Sequence, residues 1–167
     1  LFRSQVPATD CYRGDGEDHG TEDATISGAT FVAVDDGLHG MEGQGVSVSS
    51  AAPRLTARGV RVVGCTFERC VRGAWAEFNQ PANPGLDIVF ERNTVVAAEC
   101  HGLGLVGVQG GVARGNRVLD TGRMIPGTPD TAASEVVGIV VSGSPRTPGR
   151  DGVVEDNEIL ERRPGAD

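Results

Sequence analysis

Short apolar segments broken by polar and glycine positions run along this chain. A six-residue unit returns five times: Ile26–Phe31, Val62–Phe67, Phe90–Val95, Ala113–Val118 and Val154–Ile159. Each copy reads as two short strands meeting at a small or polar corner, with Ala29, Cys65, Asn93, Asn116 and Asn157 at the equivalent position. A glycine follows in four copies (Gly37, Gly73, Gly102 and Gly138), and apolar residues alternate after it. Alternation with period two is the mark of a half-buried strand. No run of ten or more residues carries the 3.6-residue period of an amphipathic helix.

The repeat length sets the fold. The equivalent corner residues are separated by 36, 28, 23 and 41 positions. The shortest spacing suits one coil of three short strands with minimal turns, and the longer ones suit the same coil with loops inserted. The expected class is therefore all-β, a solenoid of about five three-strand coils, with like residues stacked about 4.8 Å apart. Buried Asn side chains then bond along the stack as ladders do in cross-β structures. Asn also tolerates the left-handed backbone of a tight corner.

From residue 24 to 162 this pattern resembles the right-handed parallel β-helix family of pectate-lyase-like and polygalacturonase-like proteins. Residues 1–23 are expected to form a loop-rich approach from a preceding coil, and residues 163–167 a tail. With Leu1 at its start and no capping helix at either end, the chain is expected to be one partial domain, a piece of a longer helix. Within it, Gly43–Gly59, Asn79–Gly85, Leu119–Glu135 and Ser142–Gly152 read as loops.

The resemblance also implies a location for chemistry. In the family, the strand after the long turn presents its outer face to substrate, and here that strand is expected to begin at Gly37, Gly73, Gly102 and Gly138. The residues just before these glycines, Asp36, Arg72, His101 and Val137, then form one column, with His39 and Trp75 beside it and Glu77 further along. A carboxylate, a guanidinium and an imidazole at neighbouring steps suit acid–base work on a carbohydrate. Arg72 suits two-point binding of a uronate carboxylate, or the role of base that an arginine holds in lyases of the family. Asp35-Asp36-Gly37 and Cys100-His101-Gly102 resemble the Asp-Asp and Gly-His-Gly pieces of polygalacturonases, where paired carboxylates protonate the leaving oxygen and activate water. Asp35, Asp36, Arg72 and His101 are thus the expected catalytic residues. His39, Trp75 and Glu77 are the expected substrate contacts, with Trp75 an apolar plate for a sugar ring or a packing residue under its neighbouring loop.

Composition narrows the partners. The net charge of −8 argues against nucleic acid or an anionic membrane surface, and no stretch is apolar enough to span a bilayer. No motif demands a cofactor. Calcium, which bridges protein to uronate in lyases of this family, would reconcile an acidic protein with an acidic polymer. The acidic stretch from Asp10 to Asp23 reads as a solvated loop. No Cys/His spacing fits zinc. Of four cysteines, Cys65 falls in the ladder column, Cys11 lacks an evident partner, and Cys70 and Cys100 fall in turns of adjacent coils where a disulfide is geometrically allowed. Two functions remain open. One is a secreted or cell-surface lyase or glycosidase on an acidic polysaccharide. The other is a non-catalytic β-helix segment that binds glycans in an adhesin-like or tailspike-like protein.

Overall fold

A computed structural model describes residues 22–32, 44–49, 57–79, 84–121, 138–144 and 146–160. Among them the chain forms strands and no helix. The first sequence repeat carries β1 (Thr25–Ser27), β2 (Thr30–Val32) and β3 (Gln44–Ser49), and the second carries β4 (Arg61–Val63), β5 (Thr66–Glu68) and β6 (Arg72–Glu77). The third carries β7 (Gly85–Leu86), β8 (Val89–Glu91), β9 (Thr94–Val96) and β10 (His101–Val106). The fourth carries β11 (Val108–Gln109), β12 (Val112–Arg114), β13 (Arg117–Leu119) and β14 (Ile139–Ser142), and β15 (Val153–Glu155) and β16 (Glu158–Leu160) follow.

Successive repeats add their strands to the same sheets, always parallel to the strand before. The sheet orders are β1-β4-β8-β12-β15, β2-β5-β9-β13-β16, β3-β6-β10-β14 and β7-β11. Parallel neighbours need a crossover of a dozen or more residues, and here the remainder of the repeat supplies it. Thr25, Arg61, Val89, Val112 and Val153 pair in succession, at steps of 36, 28, 23 and 41 residues (25 to 61, 61 to 89, 89 to 112, 112 to 153). These are the spacings read from the sequence. The arrangement is all-β with stacked parallel sheets, compatible with a β-helix or solenoid. The fourth, two-stranded sheet was not expected from three-strand coils; the bridges Glu22–Arg58, Arg58–Leu86 and Gln109–Arg150 continue it to either side.

Inward positions stack like on like. Val62, Phe90 and Ala113 form one column, and Phe67, Val95 and Val118 another, all fully buried. The rings of Phe31 and Phe67 stack at 5.1 Å. The same columns end on Val154 and Ile159, which are 54% and 55% exposed.

The Asn ladder forms as expected. Asn93 Oδ1 accepts the Cys65 amide at 2.9 Å, and Asn93 Nδ2 donates to the Val62 carbonyl and to Asn116 Oδ1. Asn116 repeats this with Asn157 Oδ1 and the Phe90 carbonyl. Each side chain thus satisfies backbone groups that water cannot reach. The left-handed corner, however, lies one residue earlier than expected: Gly28, Gly64, Arg92, Gly115 and Asp156 all have positive φ, and none of the Asn residues does. Asn occupies its position for hydrogen bonding, while the residue before it makes the turn.

The first repeat departs from the expected register. Gln44 pairs with Arg72 and Val46 with Ala74, so Gly45, not Gly37, is the counterpart of Gly73. Part of the expected loop Gly43–Gly59 is therefore strand β3. The physical reason is close approach. A Cβ on Gly45 would lie 2.3 Å from the Phe67 ring and 2.9 Å from the Gly73 carbonyl, and one on Gly73 would lie 2.4 Å from the Gly102 carbonyl. Gly45 is followed by Val46-Ser47-Val48-Ser49, with both valines buried and both serines exposed, a cleaner alternation than the residues after Gly37 offer.

No disulfide joins Cys70 and Cys100. The Glu99 amide bonds the Cys70 carbonyl and the Cys100 amide bonds the Val71 carbonyl, so the two cysteines are not register partners. Cys70 points inward with its thiol toward the Phe31 carbonyl, and Cys100 is half-buried. Cys11 lies outside the described residues.

Candidate functional site

The sheet β3-β6-β10-β14 carries the expected column, and its outer face holds one dense polar cluster. Arg72 begins β6 and His101 begins β10, and the two are register partners on adjacent strands. Each is followed by a glycine, Gly73 and Gly102. An added Cβ there would meet the methyls of Val95 and Val118 and the carbonyl of the next repeat's glycine, so only glycine lets the strands approach this closely. Ala74 and Leu103 then point to the core, while Trp75 returns to the outer face beside Arg72.

The Trp75 indole is the centre of the cluster. The Arg72 guanidinium lies 4.4 Å from its ring centroid, a cation–π contact. The His101 ring stacks with it at 5.0 Å and 18°. Its Nε1 donates to Glu77 Oε2 at 2.9 Å, and Asn79 Nδ2 donates to Glu77 Oε1 at 2.8 Å. The indole also lies across Gly104 of the next repeat, where a Cβ would come within 2.1 Å of Trp75 Cε3.

This differs from an open sugar platform. Trp75 is 6% exposed and Arg72 8%, so the indole packs rather than presenting a bare face to solvent. The contacts of Trp75 are with Arg72, His101, Glu77 and Gly104. Four expected residues meet here: Arg72, Trp75, Glu77 and His101. Asp35, Asp36 and His39 lie outside the described residues, as does Val137. In register, the position expected for Asp36 belongs to Gln44. Asn79 and Gly104 were not expected as parts of the site. Gly104 is the one glycine among Ser47, Trp75, Gly104 and Val140, which are paired in register, and that exception beside a tryptophan is the signal that marks it.

Burial pulls the Arg72 guanidinium below its usual range, with the Glu77 carboxylate and then Cys100 acting the other way. Burial alone would raise the Glu77 carboxyl. The bonds from Trp75 and Asn79, with the Arg72 charge, outweigh it and hold the group below the usual carboxylate range. Burial pushes the Cys100 thiol up, partly offset by Arg72, with Glu99 adding to the rise. At neutral pH the cluster therefore holds a carboxylate against a guanidinium, with an imidazole on the same ring.

Among the described residues no group of His, Cys, Asp and Glu is placed to hold a metal ion, and no helix is long and apolar enough to cross a membrane. No family model, curated protein or solved structure matches the chain significantly.

Proposed function

We propose that the chain forms a right-handed parallel β-helix of about five coils, pectate-lyase-like in architecture. We further propose that it acts on an acidic polysaccharide, as a lyase or glycoside hydrolase, at the outer face of β3, β6, β10 and β14. A secreted or cell-surface location accompanies this reading. The observation that carries it is the pairing of Arg72 with His101 in register on that face, around the chain's single tryptophan. A guanidinium offers a uronate carboxylate two parallel hydrogen bonds, and an imidazole is the side chain best suited to move a proton near neutral pH. Asp35 and Asp36 remain proposed partners in catalysis or in holding a calcium ion, and His39 a proposed substrate contact. All three lie outside the described residues, so no step is routed through them.

A second reading is supported by a specific observation. Both Glu77 oxygens are already bonded and Trp75 is almost covered, as in a face built to be rigid. On that reading the chain is a non-catalytic β-helix segment that binds glycans.

A panel of acidic polysaccharides, with and without calcium, separates the two. Unsaturated uronate absorbance together with new reducing ends identifies β-elimination. Reducing ends alone identify hydrolysis. Binding without either product, from folded protein, replaces the enzyme with the binding segment.

A further inference from the structure

Three departures from the regular columns coincide at one place. At the position of Trp75 the register partners are Ser47, Gly104 and Val140, and at the position of Glu77 they are Ser49, Val106 and Ser142. Only one of these four aligned strands carries an indole, and the same strand alone carries a carboxylate two residues on. The strand that lies against the indole has glycine, where any Cβ would collide with the ring. A nest of acceptor, ring and empty space has been assembled around one side chain.

We propose that Glu77, Asn79 and Gly104 are positioning residues, which fix the Trp75 indole and through it the placement of Arg72 and His101. This rests on the reading that Arg72 and His101 are the working pair of the face. Glu77 takes one hydrogen bond on each oxygen, from Trp75 Nε1 and from Asn79 Nδ2. A carboxylate held at both oxygens has little rotational freedom, so the indole it accepts from has a fixed plane. The guanidinium and the imidazole both rest on that plane. Glu77 therefore holds the site together, and the substrate contact expected of it passes to the groups it orients. Gly104 leaves the space in which the ring lies.

Trp75 is the only tryptophan in the chain, so its emission and its single indole N–H resonance report this cluster alone. Glu77→Leu, which removes both acceptors, is expected to shift the emission to the red and to raise acrylamide quenching several-fold. It should also displace the His101 ring protons, with far-ultraviolet circular dichroism unchanged. Glu77→Gln, whose amide oxygen still accepts from the indole, is expected to restore the parent emission. Unchanged quenching and His101 resonances in folded Glu77→Leu would overturn the proposal. Should that variant not fold, hydrogen exchange at the indole N–H of the unaltered protein decides: slow exchange supports the clamp, and exchange at the rate of free indole overturns it. None of these readings involves turnover. A failed polysaccharide panel therefore removes the function while leaving the clamp, and a failed clamp leaves the function standing.

Discussion

At the scale of single residues, hydrogen-bond satisfaction decides more than side-chain polarity. Asn93 and Asn116 are each 1% exposed, yet they are fully bonded to backbone groups of the neighbouring repeats. Asn93→Ala removes the acceptor of the Cys65 amide and one donor to the Val62 carbonyl. An orphaned buried group costs about 1–3 kcal/mol, and a loss of that order is expected in urea unfolding. Asn157→Ala should cost clearly less, because its surroundings are half-exposed and water replaces the lost bonds. The ladder was legible in sequence because Asn recurs at a fixed offset in a fixed pattern. The Trp75 cluster was legible only in part. Arg72, Trp75, Glu77 and His101 stood in the right columns, but burial of the indole and the bond from Asn79 depend on side-chain directions that spacing does not carry. Glu77 supplies a test by pH. Its folded-state pKa is depressed, so its contribution is present above its unfolded value and is lost as pH falls through the folded one. Trp75 emission should therefore hold steady through the ordinary carboxylate range near about 4.3 and change below it.

At the scale of elements, close approach fixes register. Gly73, Gly102 and Gly138 fell where the sequence placed them, whereas the first repeat's glycine is Gly45 rather than Gly37. The distances from anchor to glycine, six residues in the second repeat and seven in the third, favoured Gly37, six residues after Phe31. What selects Gly45 is contact between repeats, since its missing Cβ makes room for the Phe67 ring. The misread register also placed Asp36 beside Arg72. Cys70 and Cys100 likewise are not paired in register, and no disulfide joins them. Glycines of the two kinds should respond differently to substitution. Gly73→Ala drives a Cβ to 2.4 Å from a backbone carbonyl and is expected to cost about 1–3 kcal/mol as overpacking. Gly64→Asn meets open space at a φ of 61°, where the equivalent Arg92 sits at 53°, and is expected to change stability by less than about 1 kcal/mol. Thermal or urea unfolding of the two variants measures the contrast.

At the scale of the molecule, the pattern of the chain and the stack of sheets agree. A net charge of −8 spread over a scaffold of like-on-like columns leaves one outer face where a buried guanidinium, an indole and an imidazole gather. Ion pairs elsewhere run along the stack, such as Arg61–Glu91 at 3.1 Å and Arg117–Glu158 at 2.6 Å. At such exposure they contribute little to stability, and they neutralise local charge on the neighbouring faces. Acidic glycan is proposed to engage the Arg72–His101 face, and the lone tryptophan allows a direct test. Uronate oligomers would be titrated into the protein while Trp75 emission is followed, in parallel with Arg72→Ala. Binding at that face should give a saturable change that weakens with salt and disappears in the folded variant. A flat titration with the parent protein, or a change that Arg72→Ala leaves intact, would contradict it.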